Sequence, residues 1–123
     1  MAWETYDNCL ASNATLDALI NTETSTVTVK INRFLKRVVI YASLNTIADI
    51  TSAVGQLTVG TMSSVPNESS TRPPQSARGI FKSTSGYEIN YYKSGSTYIF
   101  MRVLDGTIPS GTNLLFTLEY QYF

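Results

Sequence analysis

The chain has 123 residues, nine basic and nine acidic, with 43% hydrophobic and 15% charged side chains and no histidine. That length suits one domain burying about two thirds of its unfolded surface, and a charged share well under the usual figure of about 25% leaves uncharged polar groups to form the exterior. Zero net charge offers no field for phosphate backbones or anionic lipid, so nucleic acid and membrane insertion are set aside as partners. Without His, and with Cys9 as the one cysteine, the commonest general base, intrachain disulfides and thiolate metal clusters are excluded, so neither a metal nor a cofactor is expected.

Residues 1–24 read as an N-terminal connector or edge segment, in which Ser12-Asn13 before Leu16, Asp17, Leu19 and Ile20 can cap a short helical turn. No basic stretch followed by an apolar run marks a secretory leader, and no apolar run reaches the length of a membrane span. Residues 25–123 read as one β domain. Val27, Val29 and Ile31 alternate with Thr26, Thr28 and Lys30, and Val38, Ile40, Ala42 and Leu44 alternate with Val39, Tyr41 and Ser43, which is the period-2 pattern of half-buried strands. Asn32 to Lys36 then closes a hairpin and gathers Lys30, Arg33, Lys36 and Arg37 at one end. Those four are either a small basic patch or charged gatekeepers that keep a strand end soluble.

Gln56 to Thr61 predicts a further strand, and the proline-bearing stretch from Ser63 to Gln75 predicts a long loop. Arg72, just before two prolines, fits a loop pinned to backbone carbonyls. Four more strands follow, at 77–82, 87–92, 97–104 and 114–122, separated by Ser/Gly-rich turns. The expected fold is therefore all-β, an antiparallel β-sandwich or jelly-roll-like domain of about seven or eight strands. If Lys93 to Ser96 closes an even hairpin pairing 92 with 97, one face carries Tyr87, Ile89, Tyr91, Tyr98, Phe100 and Arg102. The other carries Glu88, Asn90, Tyr92, Thr97, Ile99, Met101 and Val103. Both faces are then substantially apolar, which asks for a second cover such as another copy of the chain.

No nucleophile elbow, phosphate-cradling glycine loop or calcium loop is present. The nine carboxylates include no pair in a recognisable glycosidase arrangement, so the reading is of a binding module rather than an enzyme, with a small carbohydrate-active enzyme as the remaining rival. Tyrosines set among Ser, Asn and Gly supply contact area and adaptable hydrogen bonds, and their rings suit the apolar faces of sugars. Glu88, Asn90, Tyr92, Arg102 and Asp105, near strand ends, are the candidate saccharide contacts.

The order Leu57-Thr58-Val59-Gly60, then Ser64-Val65-Pro66-Asn67-Glu68, then Thr71-Arg72-Pro73-Pro74 resembles a passage in the head domains of phage baseplate and tail-tip receptor-binding proteins. Tyr91 to Ile99, the Asp105 to Leu114 connection and the final strand through Tyr120 resemble the way such domains end. Pro66, Arg72, Pro73, Gly95, Gly106 and Pro109 correspond to scaffold positions. The resemblance implies a homotrimeric head at the distal tail or baseplate of the virion of a siphophage of Gram-positive bacteria. Its implied partners are a host cell-wall saccharide and other tail or baseplate proteins. The alternative is a purely structural baseplate, fibre or capsid-decoration domain without a ligand of its own.

Overall fold

The computed structural model describes residues 2–123. In chain order the elements are β1 (Glu4–Tyr6), α1 (Ala14–Leu19), β2 (Thr26–Asn32), β3 (Arg37–Asn45), β4 (Ile50–Thr51), β5 (Leu57–Thr61), β6 (Ala77–Lys82), β7 (Glu88–Lys93), β8 (Tyr98–Asp105), β9 (Thr107–Ile108) and β10 (Asn113–Gln121). Two four-stranded antiparallel sheets, β1-β2-β3-β10 and β5-β8-β7-β6, face one another, and β4 and β9 form a short extra pair. The fold is thus an all-β sandwich.

Side-chain alternation explains the layering. Val27, Val29 and Ile31 on β2, Val38, Ile40, Ala42 and Leu44 on β3, and Leu114, Phe116, Leu118 and Tyr120 on β10 all point inward and are buried. They meet Leu57, Ile89, Ile99, Met101 and Val103 of the second sheet. Burying such rows contributes about 1.5–3 kcal/mol per large side chain, which makes a one-residue slip in either sheet prohibitive. The β2–β3 hairpin closes through residues 33–36, where the Asn32 carboxamide oxygen accepts the Leu35 N–H (2.9 Å) and Lys36 takes a left-handed φ of 55°.

Residues preceding β2 belong to the same unit. Cys9, Ala11, Leu16 and Ile20 are core residues. Asn13 caps α1 by accepting the Leu16 N–H at 2.8 Å. The Cys9 N–H donates to the Val27 carbonyl (3.1 Å), and the Ala11 N–H to the Val59 carbonyl (3.0 Å), so this segment ties β2 to β5 along one side of the sandwich.

The β7–β8 hairpin differs from the expected even pairing. Its register is Lys93↔Ile99, Tyr92↔Phe100, Tyr91↔Met101 and Asn90↔Arg102, with residues 94–98 intervening. This odd connection reverses the parity. Ile89, Tyr91, Ile99, Met101 and Val103 all face the core, while Asn90, Tyr92, Phe100 and Arg102 face outward. The hairpin is therefore not apolar on both sides, and that reason for a covering partner falls away. The cause is visible in the turn, where Lys93 folds inward with its ammonium on the Ser94 and Ser96 carbonyls. Arg72 donates to the Gly95 carbonyl (3.0 Å) from outside.

The same arginine organises the proline-bearing loop. Its guanidinium grips the Glu68 carboxylate through two 2.9 Å hydrogen bonds, across a 3₁₀ turn at Glu68–Thr71 that buries Thr71. Pro73 is buried beside it, and the Pro66 carbonyl accepts from Arg33 (2.7 Å). The Pro109 carbonyl holds the Thr46 hydroxyl (2.8 Å), and Gly106, at φ 75°, lies so close to Gly86 that a Cβ would come within 1.9 Å of its carbonyl oxygen.

Candidate functional site

The outer face of the second sheet carries a row of three aromatic rings. Tyr92 and Phe100 are cross-strand neighbours with ring centroids 5.3 Å apart, and Tyr98 follows at 6.3 Å from Phe100. Cross-strand aromatic pairs of this kind stabilise a sheet while leaving ring faces open. The Tyr92 hydroxyl reaches over β8 and donates to the Gln56 carboxamide oxygen at 2.7 Å. Tyr98, 48% exposed, ends the row beside Thr61.

Beyond Tyr98 a groove of about 710 Å³ runs between β5 and the N-terminal segment. Two backbone tethers create it, since the bonds from Ala11 to Val59 and from Thr61 to the Cys9 carbonyl (2.8 Å) hold residues 10–15 alongside β5. Asn13 serves as structure here, capping α1 and donating to the Thr58 carbonyl (3.2 Å). The hydroxyls of Ser12, Thr15, Thr58 and Ser63 and the Gln56 amide nitrogen are the groove's hydrogen-bonding complement. Among the described residues no charged side chain lines it. An aromatic platform at the mouth of a neutral, hydroxyl-rich groove suits a polar ligand with an apolar face.

The candidate contacts Glu88, Asn90, Tyr92, Arg102 and Asp105 all fall on β7 and β8. Asn90 lies opposite Arg102 and Glu88 opposite Asp105. Tyr92 joins the aromatic row, and Asn90 and Arg102 sit one pair further along the same face. Glu88 and Asp105 are at the far end of the hairpin, where the Asp105 carboxylate accepts the Gly106 N–H (2.9 Å) and shapes the turn. None of the five lines the groove. Its lining came unannounced because residues 10–15 dock through backbone bonds, and the one available signal was the density of Ser, Thr and Asn between Leu10 and Thr15.

At the basic hairpin end two of the four cations are ion-paired and Lys30 meets an aromatic ring. Arg33 binds Glu4 (2.7 Å), Arg37 binds Glu119, and the Lys30 ammonium stands 5.6 Å from the centre of the Tyr41 ring. Hydrogen bonds from Tyr6 and Arg33 hold the Glu4 carboxyl below the usual range. The one strongly displaced interior amine is Lys93. Burial pushes it down to about 8, against the opposing pull of Glu68 and with a lesser push from Arg72. It sits under the β7–β8 turn, away from the groove, and its bonds there are structural.

Comparison with protein-family models, curated proteins and solved structures finds no match to this chain.

Proposed function

We propose that this domain binds a cell-surface saccharide through the groove beside Tyr98, as a receptor-binding head in the tail of a phage. The observation that carries the saccharide reading is the half-exposed Tyr98 ring lining an uncharged groove in which hydroxyl and amide groups alternate with Leu10, Val54 and Leu57. Pyranose rings stack their apolar face on such a ring and exchange hydrogen bonds with such groups. The phage assignment is supported by the resemblance of the Leu57–Pro74 passage and of the segments from Tyr91 to Tyr120 to receptor-binding heads. The test is binding of the full chain to purified wall polysaccharide by calorimetry. Tyr98→Ala is expected to weaken binding about tenfold, the scale of one lost stacking platform, and unaltered binding by this variant would overturn the reading.

Assembly as a homotrimer belongs to the same proposal, with its contact on the β6/β10 side of the sandwich. There the exposed Ile80 (63%) and Leu115 (69%), each on the outer face of its own sheet, lie on strands that pack against each other across the two sheets. Both are sheet edges, where exposed apolar residues invite a partner. Light scattering that reports a monomer at micromolar concentration would remove the trimer. The purely structural reading is favoured by the same two residues, and it predicts assembly without any retention on wall polysaccharide.

A further inference from the structure

The outer face of the first sheet mixes Thr26, Thr28, Ser43 and Thr117 with Lys30, Arg37, Glu119 and the exposed Leu115. Trp3 (42% exposed) and Tyr41 (43% exposed) stand on either side of Val39, which is buried although it points away from the core. With Lys30 they line a cavity of about 240 Å³. The neighbouring carboxylates are already taken. Glu119, opposite Val39 on β10, pairs with Arg37, and Glu4, opposite Ile31 on β2, is held by Arg33 and Tyr6. The Lys30 ammonium, in contact with the Tyr41 ring, therefore faces the cavity as an uncompensated positive charge.

We propose that this cavity is a second binding site, taking one hexose ring that bears an anionic substituent. The volume is below the roughly 300 Å³ at which drug-sized pockets begin, so it admits a single ring. Val39 and the two aromatic rings receive the apolar face of the sugar, and the carboxylate or phosphate pairs with the Lys30 ammonium. Because the site lies on the opposite sheet from Tyr98, it stands or falls independently of the groove.

Trp3 is the sole tryptophan, which makes its fluorescence a local reporter. The full chain is titrated with glucuronate, glucose 6-phosphate and glucose. An acidic sugar is expected to change Trp3 emission with about three- to fivefold tighter binding than glucose, the strength of one partly exposed ion pair. Lys30→Met should erase that preference, Lys30→Arg should keep it, and Tyr98→Ala should leave it unchanged. A response to only one of the two acids supports the site and identifies its anion as carboxylate or phosphate. Equal binding of glucose and both acids by the native chain, or a preference that survives in Lys30→Met, would overturn it.

Discussion

Lys93 is fully buried, and its amine is held at about 8 against an ordinary 10.5. The folded chain thus binds this proton less tightly than the unfolded chain does. The resulting penalty is fully present below about pH 8, shrinks as pH rises from there, and is gone above 10.5. The gap corresponds to about 3 kcal/mol at about 1.4 kcal/mol per pH unit. Glu68, 4.0 Å away, limits the penalty, and Arg72 adds to it. In Lys93→Met the loop keeps its Arg72–Glu68 pairing, and the buried charge, its two carbonyl contacts and its pairing with Glu68 are lost. Removing one partner of a buried ion pair is costly when it strands the other charge, but Glu68 keeps its Arg72 partner, so relief of the desolvated ammonium is free to offset the lost contacts. Urea denaturation of both proteins at pH 7.5, 9 and 10 should show Lys93→Met at least as stable at pH 7.5. The native chain should then gain about 2–3 kcal/mol on the variant by pH 10. Taking the difference cancels tyrosine ionisation, including that of Tyr120, whose hydroxyl is pushed upward by burial. A difference that stays flat with pH would refute the argument.

Gly106→Ala should cost more than about 2 kcal/mol in chemical denaturation, because a left-handed φ and a backbone clash act together. Gly95→Ala, where an added Cβ meets nothing within 4 Å, should stay within about 0.5 kcal/mol. Arg72→Ala should lower the denaturation midpoint through loss of the Glu68 fork and the Gly95 bond. Hydrogen exchange should then quicken in residues 63–75 and 94–97 together, and protection of the turn unchanged in this variant would separate the two segments.

The strand rows were legible because a buried face imposes its period directly on the sequence. Val27, Val29 and Ile31, and then Val38 to Leu44, could alternate for no other purpose. Asn13 as a helix cap was legible for a similarly local reason, since its side chain serves a backbone N–H only three residues away. The β7–β8 register was not. Whether that turn closes evenly depends on Lys93 turning inward and on Arg72 reaching Gly95 from a loop far away in sequence. The first is a contact within the turn and the second comes from 23 residues away, and strand alternation encodes neither. The proline-bearing loop gave up its arginine correctly, because a guanidinium before two prolines has few roles besides pinning. The groove was hidden for the opposite reason. Its walls meet through main-chain bonds at Cys9, Ala11 and Thr61, which leave no mark on side-chain pattern.

Correcting that register changes what assembly can rest on. With Ile99, Met101 and Val103 in the core, the pressure to self-associate moves from a hairpin face to Ile80 and Leu115 at the sheet edges. This matters for the groove proposed as the saccharide site, because an uncharged site makes few charge-assisted hydrogen bonds and a single copy would bind weakly. A trimer presenting three such sites to one polymer would gain by effective concentration what each lacks in affinity. Site and assembly are separable in experiment. Ile80→Lys should reduce retention on immobilised polysaccharide while leaving the affinity for a short oligosaccharide unchanged, whereas Tyr98→Ala should reduce both. Equal loss of both in Ile80→Lys would place that residue at the ligand rather than between copies.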